Sequence, residues 1–262
     1  MTNMIHVDAV IHPDARVHPT AVIGPKSKIG AGCIIEPYAV VGPYTEMGSD
    51  NRVCSFSVVG GAAQSRSTDP DASFQLIIGN GNVFREGVTV SRGTEAGLGF
   101  TSIGDHCLIM AQAHIGHDCR LGDRVTLSNQ VSLAGHVTAF DNVTCGGHSA
   151  VHQFVKLGQQ SFLAANSMVS QDIPPFCMAA GDRARLMGIN TTGLTRAGYS
   201  KEERAAISKA FRILCRQRTK TDEAQIKDLL SSAFESVRLF ARFFRTSDRG
   251  IARVATVNSV CE

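Results

Sequence analysis

Tryptophan is absent, tyrosine occurs three times, and aromatic residues make up only 6% of the 262-residue chain. A core built on large rings is excluded. No apolar run approaches the ~20 residues that a membrane-spanning helix needs. The first ten residues, MTNMIHVDAV, carry neither a basic segment nor a continuous apolar one, so no secretory signal is expected. Net charge is only +3, which argues against nucleic acid as a partner. Neither a G-x-x-x-x-G-K-[ST] phosphate loop nor a G-x-S-x-G nucleophile elbow occurs. The eight cysteines, at 33, 54, 107, 119, 145, 177, 215 and 261, form no C-x-x-C pair. Without an export signal they read as reduced, mostly buried side chains of a cytoplasmic protein.

What the chain does contain is material for a core and for turns. Hydrophobic residues make up 43%, charged residues 19%, and there are 25 glycines. That composition excludes disorder as the main state and fits one large domain with an appendage.

A period of six organises the first two thirds of the chain. From Ile5 to Val59, ten consecutive positions six apart are each aliphatic. The register returns at Ile78, Phe84 and Val90, then holds for twelve positions from Ile103 to Val169. Two residues before each aliphatic position lies a mostly small one, such as Ala21, Ser27, Cys33 and Ala39. Helices repeat at 3.6 residues and half-buried strands at 2, so neither accounts for the pattern. Short strands joined by tight turns do, three to a triangular coil of 18 residues, with Gly and Asn expected to supply the turn conformations. Coils stack about 4.8 Å apart, and stacking buries what no single hexapeptide can bury. Residues 61–77 and 92–102 break the register and are expected as loops on a binding face. The repeat ends near Val169, before Asp172-Ile173-Pro174-Pro175.

A helical pattern follows. Ser200 and Glu203 form the N-cap and N3 positions of a capping box. Segments near 222–232 and 234–245 place Leu229, Leu230, Phe234, Val237, Leu239, Phe240, Phe243 and Phe244 as core candidates. The expected organisation is an all-β left-handed parallel β-helix over 1–186 and a small helical domain over 187–262, the handedness coming from other hexapeptide sequences.

Residues 18 apart in an unbroken run lie above one another. His117 therefore shares a column with Gly135 and Gln153, while His114, His136 and His152 flank it on successive coils. By contrast, His6, His12 and His18 occupy the same place in three successive hexapeptides, so they point out of three different faces. Three neutral imidazoles suffice for a catalytic zinc, and γ-class carbonic anhydrases hold zinc between subunits of a trimeric β-helix. Their ligand spacing differs from H-I-G-H, and no metal ligand is assigned here.

Several strings now point to one family: R-E-G-V-T-V-S-R-G-T (85–94), H-I-G-H-D-C (114–119), L-A-G-H-V (133–137), A-V-H-Q-F (150–154), Q-D-I-P-P (171–175), G-I-N-T-T-G-L-T-R-A-G-Y-S (188–200) and F-F-R-T-S-D-R-G (243–250). With the hexapeptide columns, they resemble the UDP-N-acetylglucosamine O-acyltransferases, which open lipid A synthesis, from about residue 5 to 253. The resemblance implies transfer of a 3-hydroxyacyl group from acyl carrier protein to a UDP-amino sugar, without metal or cofactor, in a homotrimer. His117 matches the general base, and imidazole suits that work near neutral pH. Asp118 matches its orienting partner, and the Gly135 N–H the oxyanion donor. His114, His136, His152 and Gln153 match groove-lining positions. Asn190 and Arg196 match holders of the nucleotide, and Ala165 the position on which acyl length depends.

Departures surround the sugar. The first loop reads Q-S-R-S-T, keeping Gln64 but placing Ser65 and Ser67 where the family has an Asp and a Lys, with Arg66 as a replacement for the charge. Ser91 lies where His is frequent, and Thr192 where an acid is common. The acceptor is therefore open between the 3-hydroxyl and a 3-amino sugar nucleotide. A β-helix scaffold with a decayed sugar site is the alternative, but decay would strike the histidines too, and they are complete. Arg204, Lys209, Arg212, Arg216, Arg218 and Lys220 form a basic cluster expected to dock the acidic carrier protein or to be a solvated helix face.

Overall fold

The computed structural model describes residues 4–66, 69, 72–215 and 223–255. Its strands form three long sheets that the chain visits in turn. Sheet 1 runs from Val10–Ile11 to Lys156–Leu157, sheet 2 from Arg16–Val17 to Arg185–Ile189, and sheet 3 from Val22–Ile23 to Met168–Val169. Neighbouring strands are parallel and mostly 18 residues apart, as in Val10↔Lys28, Ile34↔Arg52 and His114↔Ser132. The prism has three corners, 1→2, 2→3 and 3→1. From Ile23 to Val169, every aliphatic position of the six-residue step is buried; Ile5, Ile11 and Val17, in the first coil, are half covered. The seven described cysteines are free, and six are buried.

The turns meet expectation in part: Gly32, Gly81, Gly87, Asn142 and Asn166 take positive φ. Among the described residues, however, eighteen non-glycine residues do so, among them Lys26, Tyr38, Asp118 and Phe154. Glycines at 24, 30, 42 and 48 do not. They serve close approach instead: a Cβ on Gly30 would lie 2.4 Å from the Gly48 oxygen, and one on Gly42 1.9 Å from that of Gly60. Left-handed backbone costs a non-glycine residue about 1–2 kcal/mol, and coil-to-coil hydrogen bonding offsets it, as in Gly24 N to Val41 O at 2.8 Å. His6, His12 and His18 lie at three successive corners, each accepting at Nδ1 a backbone N–H two residues on.

Both register breaks leave the prism at corner 3→1. The first joins Val58–Gly61 of sheet 3 to Gln75–Ile78 of sheet 1, and the second joins Thr89–Ser91 to Phe100–Ile103. They emerge on consecutive coils, immediately before the coil that carries His117.

The strand Cys177–Ala180 pairs antiparallel with Arg185–Ile189. The expected boundary between residues 186 and 187 thus falls inside a strand, because sheet 2 continues into the appendage. Helices α1 (Thr191–Arg196), α2 (Lys201–Leu214), α3 (Glu223–Leu230) and α4 (Glu235–Thr246) follow. Ser200 Oγ accepts from the Glu203 N–H at 3.0 Å, one half of the capping box. The Glu203 carboxylate does not return the bond. It accepts from Ser236 Oγ at 2.6 Å and ties α2 to α4. Leu229, Val237, Phe240 and Phe243 are buried; Leu230, Phe234, Leu239 and Phe244 are partly so. Phe243 packs edge-on against Phe140 of the prism. Among the described residues no helix is long and apolar enough to cross a membrane.

Candidate active site

The turn Gly116–Cys119 rounds corner 3→1 with Asp118 at φ 59°. That left-handed residue turns its carboxylate back toward the preceding side chain, and His117 Nδ1 lies 2.8 Å from Asp118 Oδ2. The carboxylate is enclosed, its side chain 0% exposed. Oδ2 also accepts from Thr94 Oγ1 at 2.6 Å, and Oδ1 from the backbone N–H groups of Thr94 and Leu98 at 3.1 and 3.2 Å. Burial pushes the Asp118 carboxyl up, but the bonds from Thr94 and His117 outweigh it and hold the group below its ordinary value. It is therefore a carboxylate, His117 carries its proton on Nδ1, and Nε2 offers a lone pair.

Gly135, one coil on, gives that ring its place. A Cβ there would lie 2.7 Å from both Cε1 and Nε2 of His117. The Gly135 N–H donates to no group among the described residues. His136 meets His117 edge-on with ring centres 5.1 Å apart and stacks on Phe154 at 4.4 Å. His114 Nδ1 shares a 2.8 Å hydrogen bond with Thr89 Oγ1. Burial, helped by His117, lowers the His114 pKa; burial also lowers that of His136, more than Asp118 raises it.

Two recesses meet at His117. One, of about 710 Å³, is a groove along sheet 3 that takes in Gln64, Ser91, His114, Gly135 and His152 and ends at Met168 and Arg183. The other, of about 580 Å³, lies under the loops and is lined by Ser65, Asp69, Thr94, Glu95 and His136. Other expected residues lie elsewhere. Gln153 is exposed at the corner, and Ser67 lies outside the described residues. Ala165 is exposed at corner 2→3, and Thr192 and Arg196 are exposed on α1. Asn190 caps α1, accepting from the Gly193 N–H and donating to Gln160 O at corner 1→2. Within one chain, these four residues are separated from His117.

Sequence reading missed Thr94, Gly97, Thr101, Phe154, Met168 and Arg183. Only the loop's broken register pointed toward the first three. His117, Asp118 and His136 present ligand atoms within 4.8 Å of one another, which revives the question of a metal. A carboxylate offers about four lone-pair sites, and Asp118 has committed all of them to Thr94, Leu98 and His117. The donor set is that of a hydrogen-bonded dyad.

Residues 172–252 match the family model described as UDP N-acetylglucosamine O-acyltransferase, domain 2. Residues 8–43, 26–61 and 100–135 match that of the bacterial transferase hexapeptide (six repeats). The chain is 41% identical over 181 residues to an acyl-[acyl-carrier-protein]–UDP-N-acetylglucosamine O-acyltransferase of Anaeromyxobacter, covering 68% of this chain and 70% of that one. Among solved structures, the UDP-N-acetylglucosamine acyltransferase of Francisella novicida superposes with a TM-score of 0.86 at 31% identity, over 98% of this chain and 99% of that one. The enzyme of the same name from Campylobacter jejuni gives 0.83 at 37% identity, over 96% and 100%.

Proposed function

Since the chain belongs to the UDP-N-acetylglucosamine O-acyltransferase family, we propose that His117 is the base by which it acylates its acceptor. The fold is the left-handed parallel β-helix of the hexapeptide transferases with a small helical domain. The enzyme moves an acyl group from acyl carrier protein to UDP-N-acetylglucosamine, the entry to lipid A. His117 Nε2 takes the proton of the sugar 3-hydroxyl as its oxygen attacks the thioester carbonyl. The Gly135 N–H holds the oxyanion. Collapse expels the carrier thiolate, which takes the proton from the imidazolium, leaving an ester and a free thiol. Asp118 stays ionised throughout and balances the imidazolium. A positioned base contributes about 10²–10⁴-fold, and an oxyanion donor about 10²–10³-fold.

One observation carries this reading: Nδ1 of His117 is fixed on Asp118 at 2.8 Å, which leaves Nε2 beside Gly135 at the meeting of the two recesses. The test is acyl transfer by His117→Ala, assayed with UDP-N-acetylglucosamine and with its 3-amino analogue. Retention of more than about a tenth of the wild-type kcat on the preferred acceptor, below the span of a lost general base, refutes it. The preferred acceptor decides between hydroxyl and amine.

The working unit we infer is a homotrimer, and the outward rows of the prism support it. Sheet 1 shows Lys28, Glu46, Arg120 and Lys156. Sheet 3 shows Val22, Val40, Val58, Thr89, His114, Ser132, Ala150 and Met168, with no acid, Lys or Arg. Sheet 2 shows Arg16 and Arg52 toward one end and Arg185 at the other, with Val83, Leu108, Thr126, Thr144 and Phe162 uncharged between them. An uncharged sheet 3 and the uncharged middle of sheet 2, meeting at one corner, suit a closed ring in which sheet 3 of one subunit covers sheet 2 of the next. Corner 2→3, with Ala165, then borders the seam near the axis. The 1→2 edge, with Asn190, Thr192 and Arg196, reaches a neighbour's His117 and closes the sugar-nucleotide site with Gln64, Ser65 and Ser91. A monomeric solution mass at micromolar concentration rejects the ring. Carrier thioester and sugar nucleotide are both cytoplasmic, which puts the enzyme there. Lys209 and Arg212 are exposed on α2 for the acidic carrier protein; Arg204 is engaged by Thr195 and Ser200, and Arg216, Arg218 and Lys220 lie outside the described residues.

A further inference from the structure

The second loop does more than border a recess. Arg92, which opens it, is 4% exposed and donates from Nη1 to the carbonyls of Ala72 and Phe74, anchoring it to the first loop. Thr94, also 4% exposed, aims both its hydroxyl and its backbone N–H at Asp118. The Leu98 N–H takes the same carboxylate oxygen as the Thr94 N–H, and Thr101 Oγ1 accepts from the Asp118 N–H at 2.8 Å. A Cβ on Gly97 would lie 2.2 Å from the Asp118 carboxyl carbon. The loop is thus a socket moulded to one side chain, which at this depth touches His117 and no solvent.

We propose that Thr94 is a positioning residue for the transfer reaction, acting on His117 through Asp118; this rests on His117 being the base. Asp118 Oδ2 accepts from Thr94 Oγ1 at 2.6 Å and from His117 Nδ1 at 2.8 Å. Two donors on one oxygen fix the line along which the imidazole is held, and hence where Nε2 points. The short O–H···O⁻ bond is charge-assisted and among the stronger kinds. Removing the hydroxyl lets the carboxylate rotate on its remaining backbone donors. It also concentrates negative charge on Nδ1–H, which favours the imidazolium and disables the base at higher pH. The other titratable groups facing His117 are His114 on sheet 3, His136 on the next coil, His152 and Arg183 farther along the groove, and Asp69 and Glu95 across the other recess. A valine or serine at 94 leaves all of them in place.

The test compares Thr94→Val, which keeps the shape and loses the donor, with Thr94→Ser, which keeps the donor. Thr94→Val is expected to lower kcat roughly ten- to hundredfold, the range for a hydrogen bond to a charged group. KM for both substrates stays within about twofold, and the acid limb of kcat moves to higher pH. Thr94→Ser recovers most of the rate and the wild-type limb. In a His117→Ala background Thr94→Val costs nothing further, since it acts only through that ring; this arm also separates a kinetic effect from a folding defect. The proposal falls if Thr94→Val keeps kcat within about twofold of wild type, or if its loss persists undiminished without His117. If His117→Ala is itself fully active, it is the base assignment that has failed.

Discussion

Gly135→Ala is a sharp test of the active-site geometry because its effect on activity should far exceed its effect on stability. The new Cβ would lie 2.7 Å from Cε1 and Nε2 of His117 and 3.2 Å from Nδ1. Carbon contacts settle near ~3.5–4.0 Å, so the ring must retreat by about 1 Å. It is not free to do so. Nδ1 is tied to Asp118, and Asp118 to Thr94 and Leu98. Retreat therefore stretches the dyad and draws Nε2 away from the acceptor hydroxyl. A displacement of ~1 Å in a reacting group costs on the order of 10²-fold. The backbone has no matching complaint, because φ at Gly135 lies outside the left-handed region. Gly→Ala at a compatible site stabilises by about 0.4–1 kcal/mol through the unfolded chain. Expected, then, is a kcat about a hundredfold down with a melting temperature little changed, the gain through the unfolded chain being set against the strain of the displaced dyad. Carrier-thioester transfer kinetics and a thermal melt read both. A kcat within about threefold of wild type would show that the ring has room, and would refute the reasoning.

Three further outcomes follow from the same structure. The groove floor steps from Ser132 over Ala150 to Met168, two coils or ~10 Å beyond the Gly135 coil. An extended chain gains ~1.1–1.2 Å per bond, so acyl chains of about ten carbons should end at Met168, and Met168→Ala should shift the preference among carrier thioesters to longer chains; an unchanged profile refutes the floor. His114 and His136 have folded pKa values below the ordinary one, so the unfolded chain takes their protons first. The stability they carry is complete above pH ~6.5 and is lost as pH falls through the depressed values. Melting temperature should decline from pH 7 toward 5, less steeply in His114→Gln, and equal slopes would reject this. Charge reversal of Lys209 and Arg212 should raise KM for the carrier and flatten its salt dependence; a KM indifferent to both excludes α2 as the docking face.

The core was legible in the sequence because a strand-and-turn period has one solution per position. A residue six steps on from a buried aliphatic one must be buried too, and from Ile23 to Val169 each is. The His117 and Gly135 column was legible for the same reason, with 18 residues separating one coil from the next. Where the register broke, that arithmetic stopped. Thr94 reaches Asp118 across 24 residues, because the second loop inserts between the coils. Asn51 and Asn82, 31 residues apart, bond to each other in the buried interior for the same reason, across the first loop. Asn190, Thr192 and Arg196 were placed by resemblance alone, and no spacing within one chain brings them to the site.

The turn residues were only partly legible, and the part that was not explains the dyad. Glycine and asparagine were expected to supply the turns, and at 32, 81, 87, 142 and 166 they do, but the prism also puts Asp118, His136 and Phe154 there, at φ 59°, 62° and 66°. Left-handed backbone at these positions throws side chains along the corner rather than away from it. Three consecutive coils thereby stack a carboxylate, an imidazole and a phenyl ring, with His136 3.9 Å from Asp118 and 4.4 Å from the Phe154 ring. Adjacent residues in a strand point to opposite faces and do not meet. His117 and Asp118 meet because the second is left-handed. The glycine belongs at 135 instead, where φ is ordinary and what is needed is the absence of a Cβ. A corner that put glycine at 118 would relieve about 1–2 kcal/mol of strain and lose the carboxylate that holds the His117 ring, so the strain sits where the dyad requires it.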